Sequence, residues 1–315
     1  MTASPITRAE QKPEPEPEQK TKTKRAGARK EAFAAAGFLA PSYALLAVFV
    51  LVPLVAAFVV SLQQTDGFGA GEFVGAANYA RLVEDPLFWR ALINTLVFTA
   101  LVTPLSMLFG LIAAVLLNSA LPARPLWRSL VILPMAVSGV ATGLIGILVF
   151  DQNSGVLNNL MGFLGLPAID WQSSPGPAFA SIVIATVWWR TGLNMLIYLA
   201  GLQGLGPDLY EAARLDGANA FQRFRNVTVP LLGPTSFFLL VLNVIYSFQV
   251  FDLVFVLTGG GPGGATSVLV TYAYETGFVT RDQGYAASIG MVLFLFALTF
   301  AAAQWRASRT KDLVE

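Results

Sequence analysis

Residues 205–231 read LGPDLYEAARLDGANAFQRFRNVTVPL, and the charged residues of this stretch contrast with the apolar sequence on either side of it. Residues 208–215 have the composition of a short helix, and the Asp-Gly pair that follows is a turn signal. Residues 218–226 favour a second helix, which Pro230 is expected to end. The stretch therefore predicts a helix–turn–helix between two apolar segments.

The chain outside this stretch is apolar enough to lie in a membrane. Of its 315 residues, 55% are hydrophobic and 12% are charged, whereas a soluble domain carries about 25% charged residues. A membrane-spanning helix needs about 20 mostly apolar residues. Stretches with one charge or none predict six such helices, near residues 36–61, 91–118, 129–150, 179–202, 232–257 and 284–305. The predicted fold class is an all-α integral membrane protein with six transmembrane helices.

Prolines and glycines inside these stretches concern the packing of the helices. Pro53, Pro104 and Pro134 would break helices in water, but a membrane bundle tolerates them as kinks. Gly139 and Gly143 form a small-xxx-small pair that suits close contact with a neighbouring helix. We expect both features to serve packing alone.

Lys and Arg are unevenly distributed among the connections, and this distribution predicts the orientation of the chain. Sixteen of the 20 fall in residues 1–31, in the connections after the second and fourth helices, and after the last helix. The opposite connections hold Arg81, Arg90 and Arg281. Both termini and residues 203–231 are therefore expected to be cytoplasmic, in a multi-pass protein of the cell (inner, cytoplasmic) membrane.

The same pattern predicts the domain organisation. Residues 1–31 alternate Pro with Glu and then become basic, so they cannot bury enough apolar surface to fold alone. We expect a disordered cytoplasmic tail there, a transmembrane domain over residues 32–306 with the helix–turn–helix at 205–231, and a second cytoplasmic tail over residues 307–315.

The composition argues against several kinds of active site. The chain has no Cys and no His, so the usual ligands of zinc, haem and iron–sulfur sites are missing. Ser–His and Cys–His nucleophile pairs are excluded for the same reason. Residues 259–264 are Gly-rich but lack the Gly-Lys-Ser/Thr ending of a nucleotide-binding loop. We therefore expect no catalytic residue, no metal site and no nucleic-acid partner.

The spacing within residues 205–231 resembles that of a known family. Glu-Ala-Ala at 211–213 is followed after three residues by Gly217, and nine further residues lead to Val-x-Val-Pro at 227–230. This pattern is similar to the EAA loop in the permease subunits of binding-protein-dependent ABC importers, where the ending is usually Ile-x-Leu-Pro. Both aliphatic positions are Val here, a departure that keeps their size and polarity.

The resemblance implies a type I ABC importer permease fold and a loop that docks on a separate ATPase subunit. Small side chains would let that partner approach closely, and a carboxylate could meet a basic group on it. ATP and Mg²⁺ would be bound by the ATPase subunits, with no cofactor in this chain. The candidate coupling residues are Glu211, Ala212, Ala213, Asp216, Gly217 and Pro230. The alternative is an ordinary amphipathic connection between membrane helices.

Three further stretches resemble the carbohydrate-uptake branch of this family, in its maltose, trehalose and glycerol-phosphate types. They are FVGAANY at 73–79, LAGLQ at 199–203 and LTGGGP at 257–262. The resemblance implies a second, non-identical permease, two identical ATPase subunits, an extracytoplasmic sugar-binding protein and membrane lipid as partners. It also implies import by alternating access of a sugar, with a disaccharide such as trehalose or maltose expected and glycerol phosphate as the alternative.

Polar residues within the predicted spans are candidates for the solute pathway, because such residues are costly in a membrane. Aromatic faces and hydrogen-bonding groups suit a sugar. Arg190 is the one charged residue of residues 171–207; Asp252 is a candidate partner for it, and a single cation favours a neutral sugar over a phosphate. The candidate pathway residues are Asn94, Trp188, Arg190, Asn194, Asn243, Tyr246, Gln249 and Asp252. Hydrogen bonding between helices is the alternative role of each.

Three other classes of protein remain open on the sequence. An ion-coupled secondary transporter fits six helices and a charge in the membrane, but it gives the EAA spacing no role. An intramembrane enzyme with a Ser–Lys or paired-carboxylate site is formally allowed. A membrane scaffold that transports nothing is the third.

Overall fold

The computed structural model describes residues 36–69, 71–119 and 121–312 and is almost entirely helical there. The chain divides into two units, Met1–Ala56 and Ala57–Glu315. The predicted tail at residues 1–31 lies outside the described residues, as does the end of the second tail at 313–315. The elements in chain order are α1 (Ala36–Ser61), β1 (Gln63–Gln64), β2 (Glu72–Phe73), α2 (Ala77–Glu84), α3 (Pro86–Asn118), α4 (Arg124–Ala136), α5 (Gly139–Val149), α6 (Val156–Phe163), α7 (Pro175–Gln203), α8 (Pro207–Leu215), α9 (Ala220–Leu231), α10 (Gly233–Phe248), α11 (Asp252–Leu257), α12 (Leu269–Tyr274) and α13 (Gln283–Asp312).

Within the described residues, α1, α3, α7 and α13 are long and apolar enough to cross a membrane. α1 includes a π-helical turn at Ala47–Leu51. α3 begins five residues earlier than predicted, because Pro86 opens the helix and the side chain of Asp85 caps it. β1 and β2 form a small antiparallel ribbon that pairs Gln63 with Phe73. These four helices correspond to the first, second, fourth and sixth predicted spans.

The third predicted span is broken rather than continuous. α4 ends in a 3₁₀ turn that contains Pro134, and α5 leaves it at an angle of 103°. A new helix can begin there because the Ser138 hydroxyl accepts a hydrogen bond from the N–H of Ala141 at 3.2 Å, which caps α5. Pro134 was expected to kink a continuous helix. Instead, the helix ends at the turn that contains Pro134 and a new helix begins after it.

The fifth predicted span is broken as well. α10 ends at Phe248 and the chain resumes as α11 at Asp252, so the predicted span at residues 232–257 makes two helices instead of one. α9 and α10 together have the length and composition of one span and are bent by 63°. The described residues therefore contain four long apolar helices and two bent pairs, which make six spans if each pair counts as one. The second pair overlaps the fifth predicted span only in α10, because α9 belongs to the stretch predicted as the helix–turn–helix.

The two short helices α5 and α11 pack against each other through glycines. A Cβ added to Gly139 would lie 2.8 Å from a carboxylate oxygen of Asp252, and one added to Gly143 would lie 2.8 Å from the Cβ of Val256. Gly146 meets Leu257 on the same face. The prediction that Gly139 and Gly143 permit a close helix contact is confirmed.

Replacing Gly143 by Ala is expected to lower the melting temperature of the purified protein. The added Cβ forces Val256 away, and overpacking of this kind costs about 1–3 kcal/mol. Gly290→Ala is the matched control, because Gly290 lies in α13 with nothing within 4 Å of an added Cβ and should show only the gain in helix propensity. Thermal unfolding in detergent measures both; equal melting of the two variants would contradict the contact.

α3 and α7 form the centre of the second unit and run side by side along most of their length. A Cβ on Gly110 of α3 would collide with Asn194 of α7, so the two helices approach closely at this point. Buried apolar side chains form three clusters along α3, represented by Phe88, Leu92 and Tyr285 near its start, by Phe98, Val102 and Ile182 in its middle, and by Ala114, Leu117 and Met195 near its end.

Candidate coupling loop and membrane cavity

The EAA-like loop, residues 205–231, folds as two helices joined at Gly217. Gly217 has a φ of +78°, in the left-handed region that favours glycine. The N–H of Ala218 donates to the carbonyl of Ala213, and the N–H of Gly217 to that of Arg214, both at 3.0 Å. These are the two bonds of a Schellman motif. Nothing lies within 4 Å of a Cβ added at Gly217, so the backbone requires glycine there and the surface beside it is open.

Three side-chain contacts hold the second helix of this loop in place. Asn219 and Gln222 cap the start of α9 reciprocally, with hydrogen bonds of 2.8 and 2.9 Å between side chain and backbone N–H, the pattern of a capping box. The guanidinium of Arg223 donates to a carbonyl at the turn. The hydroxyls of Tyr210 and Thr228 lie 3.1 Å apart and join the two helices. The predicted helix–turn–helix is therefore confirmed.

The prediction that Pro230 ends the second helix is wrong. α9 continues through Pro230 to Leu231 and contains a π-helical turn at Phe224–Thr228. Pro230 lies in the first turn of the helical segment that follows the π turn. A backbone N–H at that position has no acceptor within its own segment, so proline is tolerated there. Pro230 therefore sits beside the 63° bend that leads from the EAA-like loop into α10.

The outer surface of the EAA-like loop is exposed and partly apolar. Leu215 is 90% exposed and Phe221 is 69% exposed, and exposed apolar side chains that lie together mark interaction surfaces. Among the predicted coupling residues, Ala213 is half-buried and the exposed ones are Glu211, Ala212, Asp216, Gly217 and Pro230. The loop thus offers carboxylates, small side chains and apolar side chains to a partner.

The second candidate site is a cavity of about 210 Å³ among α3, α5, α7, α10 and α11, here called the membrane cavity. It brings together four of the predicted pathway residues: Arg190, Tyr246, Gln249 and Asp252. The guanidinium carbon of Arg190 lies 3.8 Å from the centre of the Tyr246 ring, which is a cation–π geometry. Asp252 lines the same cavity, but these two described charges form no ion pair within 4 Å.

Arg190 is buried next to a pair of asparagines. The side chain of Asn243 donates to the Oδ1 of Asn194 at 2.7 Å, and Asn194 donates back at 3.3 Å. The same Oδ1 of Asn243 accepts a long bond of 3.5 Å from Arg190. A guanidinium has five N–H donors, so Arg190, although only 7% exposed, retains donors for an oxygen atom of a ligand in the cavity.

Four predicted pathway residues do not line the membrane cavity. Asn194 and Asn243 form the pair beside Arg190, and the other two lie elsewhere. Trp188 is 46% exposed and lines an apolar groove between α3, α4 and α7. Asn94 donates hydrogen bonds to the carbonyls of Gly264 and Ser267, at 3.2 and 2.9 Å. Asn94 therefore holds the Gly-rich loop that precedes α12, and its place in a pathway stays a prediction, as does that of Trp188.

The Gly-rich loop at residues 259–264 forms part of the surface at the start of α3. Arg90 donates to the carbonyl of Gly263 at 2.8 Å. Gly259, Gly260, Gly263 and Gly264 all have positive φ, which only glycine adopts readily. Two open cavities of about 630 Å³ flank this loop and share Arg90 and Gly263.

Asp85 ties three helices together at this same end of the bundle. Its carboxylate accepts hydrogen bonds from the hydroxyls of Tyr272 at 2.5 Å and Tyr285 at 2.6 Å, and from the N–H of Leu87. Burial acts to raise the pKa of Asp85, but these hydrogen bonds outweigh it and leave the pKa below its usual value. Burial and the bond to Asp85 raise the pKa of Tyr272 to about 12. The carboxylate of Asp85 is therefore an ionised acceptor for the protonated phenol of Tyr272 at neutral pH.

Sequence reasoning missed several residues that line the membrane cavity. Thr186 lies four residues before Arg190 in α7, and this helical spacing could have identified it. Phe98 and Val102 repeat the same spacing in α3. Phe251 enters the cavity only because the chain breaks between α10 and α11, and no local signal predicts that.

The chain matches a known protein family over most of its length. The family model described as the binding-protein-dependent transport system inner membrane component matches residues 106–311. The matched range contains the whole EAA-like loop, together with Arg190, Tyr246 and Asp252 of the membrane cavity.

Several curated proteins resemble the chain over most of its length. The trehalose/maltose transport system permease protein of Thermococcus litoralis is 35% identical over 270 residues, which cover 85% of this chain and 91% of that protein. The sulfoquinovosyl glycerol transport system permease protein of Agrobacterium fabrum is 36% identical over 279 residues, 87% of this chain and 90% of that one. The sn-glycerol-3-phosphate transport system permease protein of Yersinia pestis is 36% identical over 268 residues, 84% and 90%.

Solved structures with the same fold include a bacterial ABC transporter involved in the import of the acidic polysaccharide alginate. Its matching chain has a TM-score of 0.79 at 23% identity, and the match covers 91% of this chain and 99% of that one. The bacterial alginate transporter in complex with a periplasmic protein that binds an alginate pentasaccharide gives a TM-score of 0.77 at 23% identity, over 89% and 96%. At this identity the likeness is one of fold.

Proposed function

This chain belongs to the family of binding-protein-dependent transport system inner membrane components, and we propose that it is the permease subunit of an ATP-driven sugar importer. The EAA-like loop carries this proposal. It is a folded, exposed helix–turn–helix with an open surface at Gly217, which suits a docking site for a separate ATPase. An ion-coupled transporter would have no use for such a surface.

The proposed assembly contains four kinds of partner. Two identical ATPase subunits bind ATP and Mg²⁺ and hydrolyse the ATP at the cytoplasmic face, where both termini of this chain also lie. A second, non-identical permease completes the membrane pathway, and an extracytoplasmic sugar-binding protein delivers the solute. Lipid of the cell membrane surrounds the two permeases. This chain itself holds no cofactor and has no nucleic-acid partner.

The size of the membrane cavity supports a pathway built from two permeases. Ligand pockets usually measure about 300–1,000 Å³, whereas this cavity measures about 210 Å³. A disaccharide therefore needs more room than one chain offers in this conformation. The second permease would supply the missing wall, and outward opening would enlarge the space.

The charges around the membrane cavity favour a neutral solute. Arg190 and Asp252 line it with opposite charges, so the cavity has no net charge from these residues. A phosphate would call for more than one cation. We therefore favour a neutral disaccharide, as in the trehalose/maltose relative, over glycerol phosphate, as in the sn-glycerol-3-phosphate relative.

The chain offers a direct mechanical link between the ATPase and the pathway. α8 and α9 of the EAA-like loop lead through the 63° bend into α10, and α10 carries Asn243 and Tyr246 to Arg190. When the ATPases close on ATP, the loop moves with them and α10 moves against α7. The pathway then opens outward to receive the sugar, and hydrolysis returns it to the inward state.

Reconstitution tests this function. The chain, its second permease and its ATPase are placed in liposomes with the cognate binding protein, and uptake of radiolabelled trehalose and maltose is followed. We expect uptake to require ATP inside the vesicles and to survive ionophores that collapse ion gradients. Uptake that continues without the ATPase, or that stops with the ion gradient, would favour a secondary transporter instead.

A further inference from the structure

The segment that joins α5 to α7 has an unusual composition for a connection at this end of the bundle. This connection, residues 150–174, has no basic residue, and its two acidic residues, Asp151 and Asp170, flank an uncharged stretch at 152–169. The other connections near the start of α3, residues 62–85 and 258–282, both contain acidic and basic residues. The uncharged segment folds as the short helix α6 with a return loop, so it is an ordered part of the molecule.

One face of α6 is fixed to the body of the protein. Leu157 and Met161 pack against the core cluster that contains Phe150 and Trp171. Between them, Asn158 is buried and makes four hydrogen bonds: its amide donates to the carbonyls of residues 152 and 169, and its oxygen accepts from the N–H of residue 169 and from the Trp171 indole. A side chain with its bonds satisfied in this way locks the orientation of the helix.

The opposite face of α6 is uncovered and mainly apolar, with the exposed Asn159 at its edge. Val156 is 63% exposed, Leu160 is 54% exposed and Phe163 is 88% exposed. Their spacing of four and three residues places them on one side of the helix. Leu164 and Leu166 in the return loop extend the patch, and Leu148 at the end of α5 is also exposed. A helix that is apolar on both faces is normally buried or in contact with lipid.

The side chains on this face indicate which of these covers it. Contacts between membrane helices favour small residues, and the glycine face of α5 against α11 is such a contact. The exposed face of α6 instead carries Val, Leu and Phe, which suit acyl chains.

We propose that α6 lies in the outer lipid–water interface of the membrane, with Val156, Leu160 and Phe163 inserted among the acyl chains. The helix is too short to span and follows directly from α5, whose exposed Leu144 and Leu148 already form an apolar surface. α6 thus continues the lipid-facing surface of the bundle sideways and anchors the connection between α5 and α7. This inference requires a membrane location but is independent of the solute and of the ATPase.

The chain has no Cys, so single nitroxide labels can test this placement in the assembled transporter. Phe163→Cys is labelled and reconstituted in liposomes with all partner subunits. Collisions with oxygen, which concentrates in lipid, are compared by electron paramagnetic resonance with collisions with a water-soluble nickel chelate. Glu72→Cys is the aqueous control, because Glu72 is an exposed acidic residue in the connection between α1 and α2. A phospholipid labelled on its acyl chain gives the lipid reference.

We expect the label at Phe163 to collide with oxygen as the lipid label does and to be at least several-fold less accessible to nickel than the label at Glu72. Nickel access equal to that at Glu72 would overturn the proposal, because the face would then lie in water. Protection from both reagents would also overturn it, because a protein partner would then cover the face. Neither result bears on sugar uptake, which is measured on the same vesicles.

Discussion

Gly217→Asp is expected to reduce sugar uptake at least about tenfold while the chain still inserts and assembles. Gly217 adopts a φ of +78° in a turn with nothing within 4 Å of an added Cβ, so the new side chain would stand on the surface that the ATPase approaches. A side chain forced into a packed interface costs about 1–3 kcal/mol, and 1.4 kcal/mol is a factor of ten. Uptake and ATP hydrolysis are measured together in proteoliposomes.

The pattern of the two activities distinguishes lost coupling from lost folding. We expect ATP hydrolysis to persist without a matching rate of uptake, and the amount of chain in the purified complex to be unchanged. Gly206→Asp is the matched control. Gly206 lies in the same loop with equally open space beside it, but its φ is not positive. It is the N-cap residue of α8, a position that Asp suits. Wild-type uptake by Gly217→Asp would count heavily against docking at the EAA-like loop.

Arg190→Met is expected to reduce uptake about 10–100-fold. The guanidinium lines the membrane cavity and has spare donors for a sugar hydroxyl. A hydrogen bond to a charged group contributes about 1.5–3 kcal/mol. Met fills a similar volume, and Asn243 keeps its partner Asn194, so assembly should survive. Initial rates of uptake over a range of sugar concentrations, with the amount of assembled complex, measure the effect.

Two variants on the same helix make this prediction specific to the cavity. Arg190→Lys keeps the positive charge but loses the planar guanidinium that stacks on the Tyr246 ring. We expect a loss of uptake intermediate between those of the wild type and Arg190→Met. Trp188→Leu changes a residue two positions away that faces the apolar groove instead, and we expect uptake near that of the wild type. If Trp188→Leu failed as badly as Arg190→Met, a general effect on α7 would explain both.

Much of the fold was predictable because membrane spans depend on local composition. The stretches at residues 36–61, 91–118, 179–202 and 284–305 each became a helix, with bounds close to the predicted ones except that α13 continues to Asp312. The helix–turn–helix was predictable too, since the left-handed Gly217 and the caps at α8 and α9 are local features. Hydropathy could not show where the other two spans break, because an uncharged stretch has the same composition whether or not it bends.

The membrane cavity was predictable only in part. Arg190, Tyr246, Gln249 and Asp252 were selected as costly polar residues in spans, and the fold brings them to one cavity. Asn94 is also a polar residue in a predicted span, but its side chain donates hydrogen bonds to backbone carbonyls of the segment at residues 264–267. Polarity in a span marks a residue that needs a partner, and it does not say whether that partner is a ligand or the protein itself.

The amino-acid sequence alone determined that this chain is a membrane protein with an EAA-like loop and the spans on either side of it, because hydropathy, charge and turn residues act over short distances. Only the tertiary structure decided which polar side chains meet. It placed α5 against α11 through glycines, stacked Arg190 on Tyr246 and left one face of α6 uncovered. Such contacts join residues that are far apart in the chain, and packing rather than local preference selects them.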